Sequence, residues 1–203
     1  MARPPLTRAI VVEHTRAQIR AEGIRGTSLR SVARELGVTA PALYAYVTDY
    51  DDLLAAVAES EFRTLEDLFS GVGSDDPIEH LRELALAYVA HARAEPHLHR
   101  LMFRYTPRVP SVPVTETFAP ATEAFTAALA PVDRAIAAGR LRVTDPVLVA
   151  FTIFSAAHGV AEFLLMGLQF PEEVAQRLID TVVDATLRGL TVDPEDGAPR
   201  RSR

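Results

Sequence analysis

Between Ser28 and Val47 the chain reads SLRSVARELGVTAPALYAYV, two short apolar-periodic runs separated by Gly37. Isolated helices shorter than about 12 to 15 residues are marginal in water. Neither run is stable alone, so both must pack on something else. In the first, Leu29, Val32, Ala33 and Leu36 fall at i, i+3, i+4 and i+7, and Thr27 or Ser28 stands where a helix needs a side-chain cap. Gly37 offers the left-handed conformation that ends a helix. Thr39 then caps the second run, Pro41 falls in its first turn, where a missing N–H costs nothing, and Leu43 and Val47 face inward.

The same punctuation runs through the rest of the chain. Val11, Thr15 and Ile19 recur every four residues before Gly23, which predicts a helix over Leu6 to Glu22. Further helices are expected from Asp49 to Phe69, from Asp76-Pro77 to Glu95, over HLHRLMFRY, from Thr115 to Ala138 with Pro120 and Pro131 as boundaries or kinks, from Asp145-Pro146 through Val147 to Leu168, and from Pro171 to Leu190. No segment alternates with the period of two that a half-buried strand requires. The expectation is an all-α protein of about nine helices. Its domains are expected at residues 1–50 and 51–190, with 191–203, TVDPEDGAPRRSR, a disordered tail.

Composition narrows the classes. At 203 residues and 48% hydrophobic, the chain can build one large core or a small module joined to a larger one. The absence of Cys excludes disulfides, thiolate catalysis and thiolate metal sites, and a cytoplasmic protein is the simplest reading. The first residues, MARPPLTRAIVVEHTR, return to charge too quickly for a signal peptide. Val147 to Leu168 is long enough to raise a membrane span, but Glu162, His158 and Gln169 argue against it, since an acid deep in a span costs about 2.5 to 3.5 kcal/mol. Ser, His and acidic residues form neither a nucleophile elbow nor a metal-binding helix motif, so no enzyme, metal or cofactor is expected.

Charge is unevenly spread. Residues 1–50 hold seven Arg against Glu13, Glu22, Glu35 and Asp49, a balance of +3, while the whole chain carries −6. An electropositive head on an acidic body is a cue for a local anionic partner. Two short helices joined through a Gly-containing turn, the second opening on Thr-Ala-Pro-Ala, have helix-turn-helix grammar. Small residues there let a backbone seat deep in a DNA major groove, and Tyr44 and Tyr46, flanking the Leu43/Val47 stripe, can reach phosphates on the groove walls. An ordinary helical hairpin with two tyrosines at the edge of a core would read the same way.

These residues resemble the tetracycline-repressor (TetR) family: Gly23, Thr27, Ser28, Val32-Ala33, Leu36-Gly37-Val38, Pro41, Leu43-Tyr44, Tyr46-Val47 and Leu53-Leu54 follow its DNA-binding module over about residues 7 to 55. The resemblance implies a helix-turn-helix DNA-binding domain ahead of a helical effector-binding and dimerisation domain. It also implies a homodimeric regulator, usually a repressor, released from a double-stranded operator by a small molecule. By position, Arg30, Ala40, Pro41, Ala42 and Tyr46 would face bases and Ser28, Tyr44 and Tyr50 phosphates, with Thr39 at the head of the same helix. The family commonly has Lys and Asn where this chain reads Thr48-Asp49-Tyr50-Asp51-Asp52. Three acids near phosphates oppose DNA unless they turn away from it.

Farther along, PHLHRLMF, AIAAGRL and AAHGVAEF resemble a subgroup with a Trp four residues before His-Gly; here Phe154 takes the Trp place before His158-Gly159. Tyr88, His91, Met102, Phe103, Phe125, Phe154 and His158 combine apolar surface with a few polar groups, the usual make-up of an effector site, although core packing accounts for each singly. His97 and His99, two apart, point to different faces and are expected to be solvated. Val174, Leu178, Val182 and Ala185 form one stripe beside a second of Ala175, Ile179, Val183 and Leu187, more apolar surface than one domain face buries, which predicts a two-fold four-helix interface. The other reading is a helical interaction module with weak or no DNA binding.

Overall fold

The computed structural model describes residues 5–104 and 119–192, with the side chains of residues 119–125 and 127 outside the described set. Among the described residues there are nine helices: α1 Arg8–Gly26, α2 Leu29–Glu35, α3 Ala40–Leu43, α4 Tyr50–Ser70, α5 Pro77–Ala94, α6 Pro96–Arg104, α7 Ala119–Ala137, α8 Pro146–Leu164 and α9 Glu172–Leu190. Among the described residues the backbone groups into two compact units, residues 5–65 with 94–104 and 119–122, and residues 66–93 with 123–192.

In the first unit the two short helices find their support on α1 and the start of α4. Val32, Ala33, Leu36, Leu43 and Val47 join Val11 and Leu53 in one buried cluster, rimmed by Leu29, Val38, Tyr46 and Tyr50. Ser28 caps α2, accepting from the Ser31 N–H while the Ser31 hydroxyl accepts from the Ser28 N–H, a reciprocal capping box. Gly37, at φ 61°, ends α2. The Val38 N–H then reaches the Ala33 carbonyl at 2.9 Å and the Gly37 N–H the Arg34 carbonyl at 3.1 Å, the paired bonds of a Schellman motif. Thr39 occupies the N-cap position of α3 without a side-chain cap bond.

Helix α1 breaks at Gly23, where φ is 72° and ψ 173°, before a last turn to Gly26. A Cβ at this position would meet the His97 ring at 3.2 Å, so the glycine also permits α6 to approach. Below it Ile19, Leu54, Val57, Ala58, Leu98 and Leu101 form a second buried cluster. Arg16, largely buried, donates to the fully buried carboxylate of Glu61 at 2.8 Å, and Arg20 to Glu95 at 2.7 Å.

In the second unit α8 packs along α9. Asp145 caps α8 by accepting from the Val147 and Leu148 N–H groups. The two α9 stripes separate: Ala175, Ile179, Val183 and Leu187 are buried, while Val174 is 45% exposed and Leu178 and Val182 half-exposed. Arg82 on α5 ties to Asp184 at 2.9 Å and Asp180 at 3.4 Å on α9, and Arg93 pairs with Glu172. Pro131 sits inside α7 without ending it. After α9 the chain is clipped to the 140–142 turn, with the Arg142 N–H on the Leu190 carbonyl and the Val192 N–H on the Arg140 carbonyl.

Candidate DNA interface and effector site

Burying Leu43 and Val47 turns the small residues of α3 outward. Pro41 and Ala42 are exposed, Ala40 half so, Thr39 stands free at the helix start, and Tyr44 is 58% exposed. Backbone can therefore approach a flat or grooved partner closely here, with one large aromatic beside it. Tyr46 is half-buried against the head core, and its carbonyl accepts from the Arg8 guanidinium at 2.6 Å. Tyr50 donates its hydroxyl to the Thr27 carbonyl at 2.9 Å, with the Ile24 carbonyl at 3.4 Å, and so pins the turn between α1 and α2. Ser28 is exposed at the cap of α2.

The acids after α3 have structural duties. Asp52 accepts from Arg8 at 2.8 and 3.1 Å and from the Thr48 N–H at 2.8 Å. The hydrogen bonds from Arg8, then that from Thr48, hold its carboxyl well below the usual range, at about 2. Asp49 accepts from the Asp52 N–H at 2.7 Å, capping α4 where an acid suits the helix dipole. Their charge is directed at α1 and at the start of α4.

The head's cations divide accordingly. Arg8, Arg16 and Arg20 are engaged with Asp52, Glu61 and Glu95. Among the described residues, Arg25, Arg30 and Arg34 are exposed and outside the ion pairs. Arg30 and Arg34 lie one turn apart on α2 and share a face. The sequence-based site includes Arg30 but not Arg34, although the i, i+4 spacing could have paired them. It also misses Gln18, which is 4% exposed, donates to Glu35 at 2.7 Å and accepts from the Ser31 hydroxyl at 3.0 Å, so one α1 side chain fixes both ends of α2.

The second unit brings three of the expected effector residues together. Tyr88 from α5 and His158 from α8 share a hydrogen bond of 2.8 Å between the hydroxyl and Nδ1. Phe154, one turn before His158, stacks on its imidazole at 5.5 Å and 20° and meets the Tyr88 ring edge-on at 5.4 Å. Burial, then the charge of Glu162, pushes the Tyr88 hydroxyl up, so it stays protonated. His91, three residues beyond Tyr88, is half-buried.

Met102 and Phe103 belong to the first unit. Met102 is fully buried, and Phe103 meets Phe62 and His99 edge-on at 6.1 and 5.1 Å. The Phe125 side chain lies outside the described residues. The solvated histidines expected on α6 are a correction: His99 is fully buried, and the His97 ring rests against Gly23. Packing of α6 on α1 overrides the pattern of alternating His and Leu.

The free face of α8 and α9 carries an open apolar groove lined by Ser155, Ala156, Gly159, Val160, Phe163, Leu178 and Val182. Leu148, Phe163, Met166, Leu168 and Val174 extend it at 40–71% exposure. A Cβ on Gly159 would meet nothing within 4 Å. Helix α8 is long and apolar enough to cross a membrane by length and composition alone, but it carries His158 and Glu162 on one face and packs on α9.

Known proteins share these features. Residues 11–57 match the model for bacterial regulatory proteins of the tetR family, and residues 81–188, more than half of the chain, the tetracyclin repressor-like C-terminal domain. An HTH-type transcriptional regulator of Mycobacterium tuberculosis is 30% identical over 143 residues, 68% of this chain and 61% of the relative, so the chain spans under two thirds of that protein's length. A protein with unknown function from Rhodococcus sp. RHA1 superposes with a TM-score of 0.79 at 25% identity, over 94% of this chain and all of the other. RolR, solved in complex with resorcinol, shares the fold with a TM-score of 0.65 at 17% identity, over 93% of this chain and 89% of that one. With both its N-terminal and C-terminal models matched, the chain belongs to the TetR family of bacterial regulatory proteins.

Proposed function

We propose that this protein is a DNA-binding transcriptional regulator, a repressor that binds a pseudo-palindromic operator as a homodimer in the cytoplasm and is released by a hydrophobic small molecule. The carrying observation is the α3 surface: small residues and Tyr44 face outward, with Arg30 on the preceding helix, while Asp49 and Asp52 are engaged by the protein itself. Ser28, Arg30, Thr39, Ala40, Pro41, Ala42, Tyr44 and Tyr46 form the DNA face, joined by Arg34. Tyr50 positions the turn beneath it. The names of the mycobacterial relatives support this reading.

The effector site centres on Tyr88, Phe154 and His158, an aromatic surface with a few oriented polar groups. That RolR was solved with resorcinol, a small planar phenol, supports a ligand of modest size. The α8–α9 groove is the dimer face, since two copies would cover the outer stripes of both helices in a four-helix contact. Selection of bound sequences from a random duplex pool tests the reading. A pseudo-palindrome with half-sites about one helical turn or more apart is expected. Failure to bind any duplex at low salt would leave a helical interaction module instead.

A further inference from the structure

We propose that Gln18, buried on α1, is a positioning residue for operator recognition: through one amide it sets the pose of α2 and so aims Ser28, Arg30 and Arg34. This goes beyond the DNA reading above and rests on it. Val32, Ala33 and Leu36 bury one face of α2. Apolar burial is non-directional, so it selects that face without fixing the rotation or slide of a seven-residue helix. Hydrogen bonds do fix them, because they weaken steeply off line. Gln18, 4% exposed, donates from Nε2 to Glu35 at 2.7 Å and accepts at Oε1 from the Ser31 hydroxyl at 3.0 Å. Ser31 and Glu35 stand one turn apart on α2, and Arg30 and Arg34 immediately precede them. A rotation of α2 that carried the first pair off Gln18 would swing the second pair through the same angle. At roughly 6 Å from a helix axis, about 10° moves a side chain by about 1 Å. That exceeds the roughly 0.5 Å that a recognition site tolerates.

The direction of each bond follows from its end groups. A carboxylate only accepts, so Glu35 takes the amide N–H and leaves the amide oxygen facing Ser31. The Ser31 hydroxyl hydrogen has both Gln18 Oε1, at 3.0 Å, and the Ser28 carbonyl, at 2.9 Å, in reach. That carbonyl already accepts from the Val32 N–H at 3.0 Å, whereas an unmet buried amide oxygen carries a desolvation cost. The hydrogen therefore belongs to Gln18. The Ser31 oxygen then receives the Ser28 N–H at 2.9 Å, and the Ser28 oxygen the Ser31 N–H at 3.1 Å. Toward Ser31 the exposed Ser28 hydroxyl makes a long contact of 3.3 Å, past the usual O–H···O range. A phosphate oxygen at normal length would take its hydrogen instead. The relay from Glu35 through Gln18 and Ser31 to Ser28 thus begins at a carboxylate and ends at a hydroxyl on the proposed DNA face.

The operator duplex recovered by selection and a random duplex, each titrated by fluorescence anisotropy with full-length protein at one salt concentration, separate aim from folding. Phosphate contacts dominate random-duplex affinity, so that affinity reports a folded head, and the ratio of operator to random-duplex affinity reports aim. Gln18→Glu sets a carboxylate against Glu35 and should lower the ratio by about tenfold. Combining Gln18→Glu with Glu35→Gln restores donor to acceptor in the reverse sense, from an amide at position 35 to a carboxylate at 18 that still accepts from Ser31. The pair should recover the wild-type ratio within about threefold. Loss of packing alone would not be repaired by exchanging the two end groups. Glu35→Ala, an exposed change, should lower the ratio by about threefold, and it decides the matter if Gln18→Glu does not fold. A wild-type ratio in Gln18→Glu or Glu35→Ala, or an exchange that stays as poor as Gln18→Glu alone, overturns the proposal. Wild type that prefers no duplex over another refutes the DNA reading, and this one falls with it.

Discussion

Arg8, at the first position of α1, grips Asp52 in the first turn of α4 with both terminal nitrogens, at 2.8 and 3.1 Å, and holds the Tyr46 carbonyl at 2.6 Å. One guanidinium thus joins the helix that supports α2 and α3, the segment that follows α3, and the first turn of α4. The acid that looked hostile to DNA is the anchor of this joint.

Because the Asp52 carboxyl titrates at about 2 in the fold against 3.8 for the free side chain, the native state binds its proton less readily than the unfolded chain. Its contribution is fully present above pH 3.8 and is lost as pH falls through about 2. Both partners are partly exposed, so Arg8→Ala should cost about 0.2 to 1 kcal/mol at neutral pH. Acid titration of wild type and variant, followed by circular dichroism, should show the gap closing between those two values. The same variant should weaken operator binding although Arg8 is turned toward the protein.

On the proposed DNA face the three changes should separate by kind. Arg30→Ala is expected to relax discrimination among operator variants by about 1 to 3 kcal/mol if it makes a bidentate guanine contact. Tyr44→Phe should weaken all sequences alike. Arg34→Ala should lower the dependence of affinity on salt by about one unit of slope. Mobility-shift titrations over a salt series read all three, and wild-type behaviour in each would move the docking surface elsewhere.

Gly159 tests the outer groove. Its Cβ position is open, so Gly159→Leu is expected to leave the isolated fold intact and to fill the groove where the proposed second copy would pack. Sedimentation at micromolar concentration should show wild type as a dimer and the variant shifted to monomer with an unchanged circular dichroism spectrum. A dimer unaffected by this change and by Val182→Arg would place the two-fold contact on another face.

Gly23→Ala should lower stability by about 1 to 2 kcal/mol, from the left-handed backbone and the 3.2 Å approach to His97. His97→Ala in the same protein should recover only the steric share. A thermal melt that shows full recovery would mean the backbone there relaxes freely.

Local signals in the sequence carry information as far as one helix reaches. The Gly37 stop, a cap at Thr27 or Ser28 and the two apolar stripes of α9 depend on neighbours three or four residues away and are readable from spacing; that Ser28 is the cap and that Ala175, Ile179, Val183 and Leu187 are the buried stripe comes from the fold. The Arg8–Asp52 joint spans 44 residues, and Gln18 meets Glu35 across 17. Nothing in their own vicinity marks them. Tyr50 looks like a surface residue at a helix start until the Thr27 and Ile24 carbonyls arrive from another part of the chain. The pairing of Tyr88 with His158 was legible only as two members of an apolar set, because which aromatic meets which imidazole is decided by how α5 lies on α8.

The grouping of α6 with the N-terminal helices bears on how such regulators can be recombined. Ile19, Leu54 and Val57 complete their cluster with Leu98 and Leu101, and Arg20 finds Glu95. A chimera spliced at residue 50 would carry away a reading head stripped of the floor it stands on and expose that floor on the recipient. A transplant that keeps residues 1–65 together with 94–104 would move the whole interlocked set, and specificity would travel with its scaffold.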